Sequence, residues 1–424
     1  MSGVGGTVRT VMRGIRGARL GLLKDAPAFR LLFLATLASS IGTWLAFVAL
    51  VIDVGERTGD ANWVSALLIV EFLPIIVIGF FAGRLIDRVS RRWILVVSDA
   101  VRAGVFFALP FTTSALQIIM LALAAGIATS LFRPAVYAGL PNLVSDRDLP
   151  EANGILQTAD NLTWTIGSVV GGALVAATSP DVAYILNGVS FAGSAVLILR
   201  IRQRFEEADR APSRGGWKDI TEGLALAVRS RALLTVIVAW SIVMLANAGV
   251  NVSEYFLATE VFKGGDFGYG LLVGATGLGL VAGSLFGGSW VSQRGLAVPY
   301  AVSIALMALG FGAAAVAPNV WVAALVVIAA GAGNGVAVVT NALLVQRGAP
   351  DRLRGRAFTV VMSVGYAVLG LGMVVAGPLT NAIGARAVWG ISAGLTALGA
   401  LVGLVLVRGV TPETRPGDAL PASD

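Results

Sequence analysis

Apolar runs of about 20 residues, each long enough to cross the hydrocarbon core of a bilayer as a helix, recur along almost the whole chain. They lie at roughly 30–54, 62–82, 93–112, 115–138, 153–178 and 182–202, then at 232–258, 268–292, 296–317, 319–345, 355–383 and 387–408. Lipid offers no water to a free N–H or C=O, so such segments fold as helices. The chain is therefore expected to be an all-α membrane protein with twelve transmembrane helices. Composition agrees: 56% of residues are hydrophobic and only 13% are charged, against about a quarter charged in an ordinary soluble domain. The stripes Gly167/Gly171 and Gly279/Gly283/Gly287 are read as faces for close helix packing.

The longest polar interval, 203–231, falls between the sixth and seventh runs. It divides the chain into a basic N-terminal segment 1–27, a six-helix half 28–202, a linker 203–231, a second six-helix half 232–408 and a tail 409–424. The halves repeat. At a shift of 205 residues Asp146-Arg147 falls on Asp351-Arg352, Ala152 on Ala357, Gly167 on Gly372, Val170 on Val375, Gly172 on Gly377 and Leu174 on Leu379. Basic residues collect on one side: Arg84, Arg88, Arg91, Arg92, Arg147, Arg294, Arg347, Arg352, Arg354 and Arg356 in loops, with Arg202, Arg204, Arg210, Arg214 and Lys218 in the linker. The opposite loops hold only Arg57, Lys263 and Arg386. Lys and Arg are retained on the cytoplasmic side, so both termini are expected there. The net charge of +7 thus reports orientation. Nothing interleaves aromatic and basic residues as a nucleic-acid surface does, and no nucleic-acid partner is expected.

Between the second and third runs stands Gly83-Arg84-Leu85-Ile86-Asp87-Arg88-Val89-Ser90-Arg91-Arg92. A turn this short makes its helices antiparallel neighbours, and Asp87 among arginines suits an ion pair or a capping bond. The pattern of Gly83, Leu85, Asp87, Arg88, Arg91, Arg92 and Leu95 resembles the loop joining helices two and three of the major facilitator superfamily. It departs at Ser90, where that family often has Gly. The resemblance implies two pseudo-symmetric halves with a substrate cavity between them. It also implies a conformational latch of Gly83, Asp87, Arg88, Arg91 and Arg92, to which Arg102 and Arg133 are added as partners. Arg133 is expected to meet Asp87 or Glu151.

The order of further marks resembles the branch containing macrolide-efflux and siderophore-export proteins. These marks are Gly42-Thr43-Trp44, Asp99 to Arg102, Arg133-Pro134-Ala135, Leu143-Val144, Leu149-Pro150 with Ala152-Asn153, and Leu186-Asn187-Gly188-Val189-Ser190-Phe191. That branch often carries an acid where Thr43 stands, and drug exporters often have Pro where Ser168 stands. The Gly-Pro pair appears instead at Gly377-Pro378.

A charge inside a membrane span is costly and is a functional candidate by default. Glu71, near the middle of the second span, is the favoured proton-coupling acid; Asp160 and Asp99 rank behind it. Asp99 and Arg102 share one face of the third span, as a structural pair before a proton carrier. Gln157, Asp160, Asn161 and Trp164 share one face of the fifth, which equally describes a solvated cavity wall. Trp240, Asn247, Asn251 and Glu254 mark the seventh span, and Asn334, Thr340 and Asn341 the tenth. By the resemblance, spans one, four, seven and ten line the cavity. The lining candidates are Ser40, Thr43, Trp44, Tyr137, Trp164, Trp240, Asn247, Asn251, Asn334 and Asn341. For about half of the asparagines, plain interhelical hydrogen bonding is the competing reading.

Cys and His are both absent, which removes disulfides, thiolate chemistry and the commonest metal ligands. No metal, cofactor or enzyme chemistry is expected, and no nucleotide-binding G-x-x-x-x-G-K-[ST] occurs. A gradient is then the energy source, and carboxylates are the groups left to titrate. The expectation is a monomeric exporter of amphipathic small molecules (multidrug, macrolide or siderophore type), embedded in lipid in a bacterial cytoplasmic membrane and driven by proton antiport. A lipid flippase or a proton-independent uniporter fits the same features. A ligand-binding sensor without flux fits less well, since the polar tails are short.

Overall fold

The computed structural model describes residues 21–86, 89–203, 230–350 and 353–408. Twelve long helices occupy them. They are α1 (Pro27–Thr58), α2 (Ala61–Ile86), α3 (Arg91–Ala108), α4 (Ala115–Gly139), α5 (Leu149–Ala177), α6 (Pro180–Leu199), α7 (Arg231–Val261), α8 (Gly265–Arg294), α9 (Ala297–Val316), α10 (Val320–Gly348), α11 (Arg354–Ile383) and α12 (Ala385–Val407). Ten are long and apolar enough to cross a membrane. The two others are α2, with an apolar stretch Ala61–Pro74 among the described residues, and α5, which Gln157, Asp160 and Asn161 make more polar.

Local chemistry sets where these helices begin and end. Pro27 and Pro180 stand in the first turns of α1 and α6, where a missing N–H costs nothing. Ser114 and Gln117 form a reciprocal capping box at the start of α4. The Asn319 side chain accepts from the N–H groups of Trp321 and Val322 at the start of α10. Gly59 ends α1 at φ 58°, a left-handed conformation that glycine adopts without strain. Within α7 two wide π turns, Val236–Trp240 and Leu257–Val261, interrupt the regular winding.

The described residues fall into two compact units. The first comprises those within Met1–Gly215 together with Glu254–Gly277; the second comprises those within Gly216–Ser253 and Leu278–Asp424. The first boundary, between Gly215 and Gly216, is outside the described residues. The second cuts α7 and α8, so the end of α7 and the beginning of α8 belong with α1–α6. Glycines explain this. A Cβ on Gly172 in α5 would stand 2.8 Å from the Gly270 Cα in α8, and one on Gly55 in α1 would overlap the Tyr255 ring in α7.

One end of the first unit is held by a core of Phe29 and Leu32 from α1, Leu95 from α3, Ala135 from α4, Ala152 from α5 and Ile198 from α6. In the second unit Phe311 of α9 meets the buried Trp389 of α12 edge-on at 5.7 Å. The Gly279/Gly283 stripe of α8 lies against the α10 backbone: a Cβ on Gly283 would overlap the Ala332 carbonyl. The repeat reappears as matched contacts. Gly167 of α5 abuts Trp44 of α1, and Gly372 of α11 abuts Ala248 of α7.

Candidate functional site

Polar and aromatic side chains converge in the first unit, where α1, α4 and α5 meet. The Ser40 hydroxyl on α1 donates to Asp160 Oδ1 on α5 at 2.9 Å. The Arg133 guanidinium on α4 is ion-paired with the other carboxylate oxygen, Oδ2. Tyr137, one turn beyond Arg133, lies near enough to feel both charges. One turn along α5, the Trp164 indole stacks on Trp44 of α1, with centroids 5.1 Å apart and planes 16° from parallel. Glycine makes the stack possible, since Gly167 brings the α5 backbone against the Trp44 Cβ. The Trp164 Nε1 is buried without an acceptor among the described residues. Thr43 turns away and bonds its own helix at Ser39.

Exposure separates this ion pair from the other one. The Arg133 side chain is 61% exposed and Asp160 19%. A pair so open contributes at most about 1 kcal/mol, so little is lost when a partner is exchanged. Asp99 and Arg102 on α3 are instead 0% and 4% exposed as side chains. The Arg102 guanidinium lies between the Phe132 and Phe191 rings, 4.2 Å from each centroid. That sandwich joins α3 to α4 and α6 and makes Arg102 part of the packing. Sequence spacing shows the Asp99–Arg102 pair but not its two aromatic plates.

The other candidates stand apart from the convergence. Glu71 on α2 is half-buried, and its carboxyl has no hydrogen bond or ion pair among the described residues. Its backbone lies against Gly126 of α4, whose hydrogen faces the Val70 and Glu71 carbonyls. Gly83 lies near the end of α2; Asp87 and Arg88 are outside the described residues. Arg91 donates to the Ala138 carbonyl and to Asn142 Oδ1, both at 3.0 Å, and Arg92 donates to the Leu199 carbonyl. The two arginines thus tie the start of α3 to the ends of α4 and α6, where carbonyls lack helical partners. Arg133 meets Asp160 and not the expected Glu151, which keeps a buried Oε1 with no hydrogen bond; the other expected partner, Asp87, is outside the described residues.

Trp240, Asn247, Asn251, Asn334 and Asn341 all lie in the second unit and are half-buried. The Asn247 amide donates to its own helix at Val243. The Asn341 Oδ1 is buried and unpartnered. Glu254, which the sequence offers only as one more polar residue of α7, proves to be 7% exposed with an unpartnered Oε1. Its isolation among aromatic neighbours has no periodic signature. Among the described residues no cluster of acidic side chains could hold a metal.

Known proteins match the sequence along most of the chain. The family model described as Major Facilitator Superfamily matches residues 32–367 and 248–423. The multidrug efflux pump Tap of Mycobacterium tuberculosis is 26% identical over 94% of this chain and 96% of its own length. The putative bacilysin exporter BacE of Bacillus amyloliquefaciens is 27% identical over 77% of this chain and 81% of its own. Among solved structures, the nucleoside transporter NupG (D323A mutant) superposes with a TM-score of 0.76 at 14% identity, covering 89% of this chain and 99% of its own. A bacterial homologue of the human lysosomal transporter Spinster, inward-facing and unoccupied, superposes at 0.73 with 11% identity, covering 90% and 96%. The likeness of these two structures is one of fold.

Proposed function

The chain belongs to the major facilitator superfamily, a multi-pass family of membrane transporters and not of enzymes, and from that premise we propose that it exports amphipathic small molecules in exchange for protons. The observation that carries the reading is the convergence of Ser40, Arg133 and Asp160 beside the Trp44–Trp164 stack. Stacked indoles offer a broad apolar face, and the open ion pair a charge of either sign. Such a surface suits large, partly apolar molecules held by few strong contacts. The distant likeness to Tap and BacE supports export over uptake.

Proton coupling rests on the carboxyls. Glu71 has no cation beside it among the described residues, so it is free to bind a proton from any water that reaches it. Asp160 already has Arg133 and serves the substrate side. Alternating access of the two halves, steered by the Asp87, Arg88, Arg91 and Arg92 loop, then exchanges one load for the other. The orientation implied by the basic loops puts both termini in the cytoplasm of a bacterium.

The test is transport into vesicles with an imposed pH gradient, using a fluorescent amphipathic dye as substrate. Glu71→Gln is expected to abolish gradient-driven accumulation while leaving downhill exchange. Asp160→Asn is expected to weaken both by tenfold or more, an estimate for one lost charge-assisted contact. Full gradient-driven transport by Glu71→Gln removes that residue from the mechanism.

A further inference from the structure

We propose that Glu254 is a second proton-binding residue of the transport cycle, and that its ionisation releases the end of α7 and the start of α8 from α1 and α5. This extends the proton-driven reading to a residue and a conformational step that it does not use.

Three observations converge on Glu254. The first is its isolation: it is 7% exposed, its Oε1 is unpartnered, and no Lys or Arg pairs with it among the described residues. A carboxylate is not stable in such a place without a partner, whereas the neutral acid is. Among the described residues its surroundings supply no counter-charge. Tyr269 of α8, itself 2% exposed, is within electrostatic range of it. Tyr255 on its own helix stacks edge-on against Tyr269 at 5.8 Å. Tyr255 in turn is within range of Glu56 from α1, Asp266 from α8 and Glu260 from α7. Every one of these groups is an acid or a phenol.

The second observation is where Glu254 stands. It is the first residue of the stretch Glu254–Gly277, which packs with α1–α6 while the rest of α7 and α8 belongs to the other unit. The packing is unusually close: Gly172 against Gly270, Gly274 against Val169 and Gly277 against Thr165. Contacts this tight are either made or absent, so the stretch has two discrete states. The third observation is the π turn Leu257–Val261, three residues beyond Glu254. Turns of that kind mark places where a helix changes its winding.

The step balances simply. While the stretch is packed, the carboxyl keeps its proton. When water reaches it, the O–H bond breaks, the proton passes to water, and the carboxylate is hydrated only as long as the stretch stays apart. Re-packing requires a proton from whichever side the opening faces.

The native chain has no cysteine, so a pair of spin labels can be placed without further change. Thr178→Cys at the end of α5 and Glu260→Cys on α7 are both exposed and both within the first unit. Distances are read by pulsed spin resonance on the full chain in lipid vesicles, in mildly acid and mildly alkaline buffer. The expected result is a longer distance in alkali. Glu254→Gln should hold the short distance in both buffers, and Glu254→Asp should restore the lengthening. Glu71→Gln should lengthen as the parent does, which separates this step from the coupling assigned to Glu71. The proposal is overturned if the labelled parent does not respond to pH, or if Glu254→Gln responds as the parent does. It is also overturned if Glu254→Gln and Glu254→Met both fail to fold, since the packed state would then need the charge.

Discussion

Asp99 pairs with Arg102 out of reach of solvent, whereas Asp160 pairs with an Arg133 side chain that is 61% exposed. The same two residue types therefore have opposite consequences when one partner is removed. Asp99→Asn leaves a charged guanidinium buried between Phe132 and Phe191, and should destabilise the protein by about 3–5 kcal/mol. Replacing both partners, as in Asp99→Leu with Arg102→Met, should recover most of that loss. Thermal unfolding in detergent measures both; a fall in the double variant as large as in the single one would count against the ion-pair account. Part of this was legible in the chain. The i,i+3 spacing puts Asp99 beside Arg102, and the spacing in α5 puts Asp160 and Trp164 on one face. Arg133 and Asp160 are 27 residues apart on different helices, so their meeting depends on how α4 and α5 pack, which periodicity does not report. Glu254 was hidden for the same reason: its neighbours come from α8.

At the scale of elements, runs of apolar residues locate all twelve helices to within a few residues, because lipid permits no other backbone solution. What escapes that logic is the contact pattern. The Gly279/Gly283/Gly287 stripe was readable as a packing face, and α10 is what it packs on. Gly283→Val should cost about 1–3 kcal/mol, since the α10 backbone at Ala332 cannot yield as a side-chain tip can. Gly104 in α3 has open space around it, so Gly104→Ala should be neutral or stabilising by up to about 1 kcal/mol. Equal effects on the unfolding temperature would mean that helix propensity, not contact, governs both glycines. The π turns of α7 and the pairing of its end with α1 left no trace in the hydropathy pattern. The pairing follows from Gly55, whose partner Tyr255 lies on α7.

For the whole molecule the twelve-helix architecture stands on the apolar runs and the family on the match of its model over residues 32–367 and 248–423, while the expected side of the membrane stands on arginines in loops. That orientation is directly measurable in a chain without native cysteine. Thr113→Cys, in the turn before α4, should react with a membrane-impermeant thiol reagent on intact cells. Gln293→Cys, at the end of α8, should react only after the cells are permeabilised. The reverse pattern would invert the topology and with it the inferred direction of export. One feature already described also bears on how such a molecule reaches the bilayer at all. Arg102 finds its counter-ion three positions back on the same helix, so neutralisation requires no second helix. The interior of the third segment can thus cancel its charge while the ribosome is still extending the chain, before Phe191 has been synthesised.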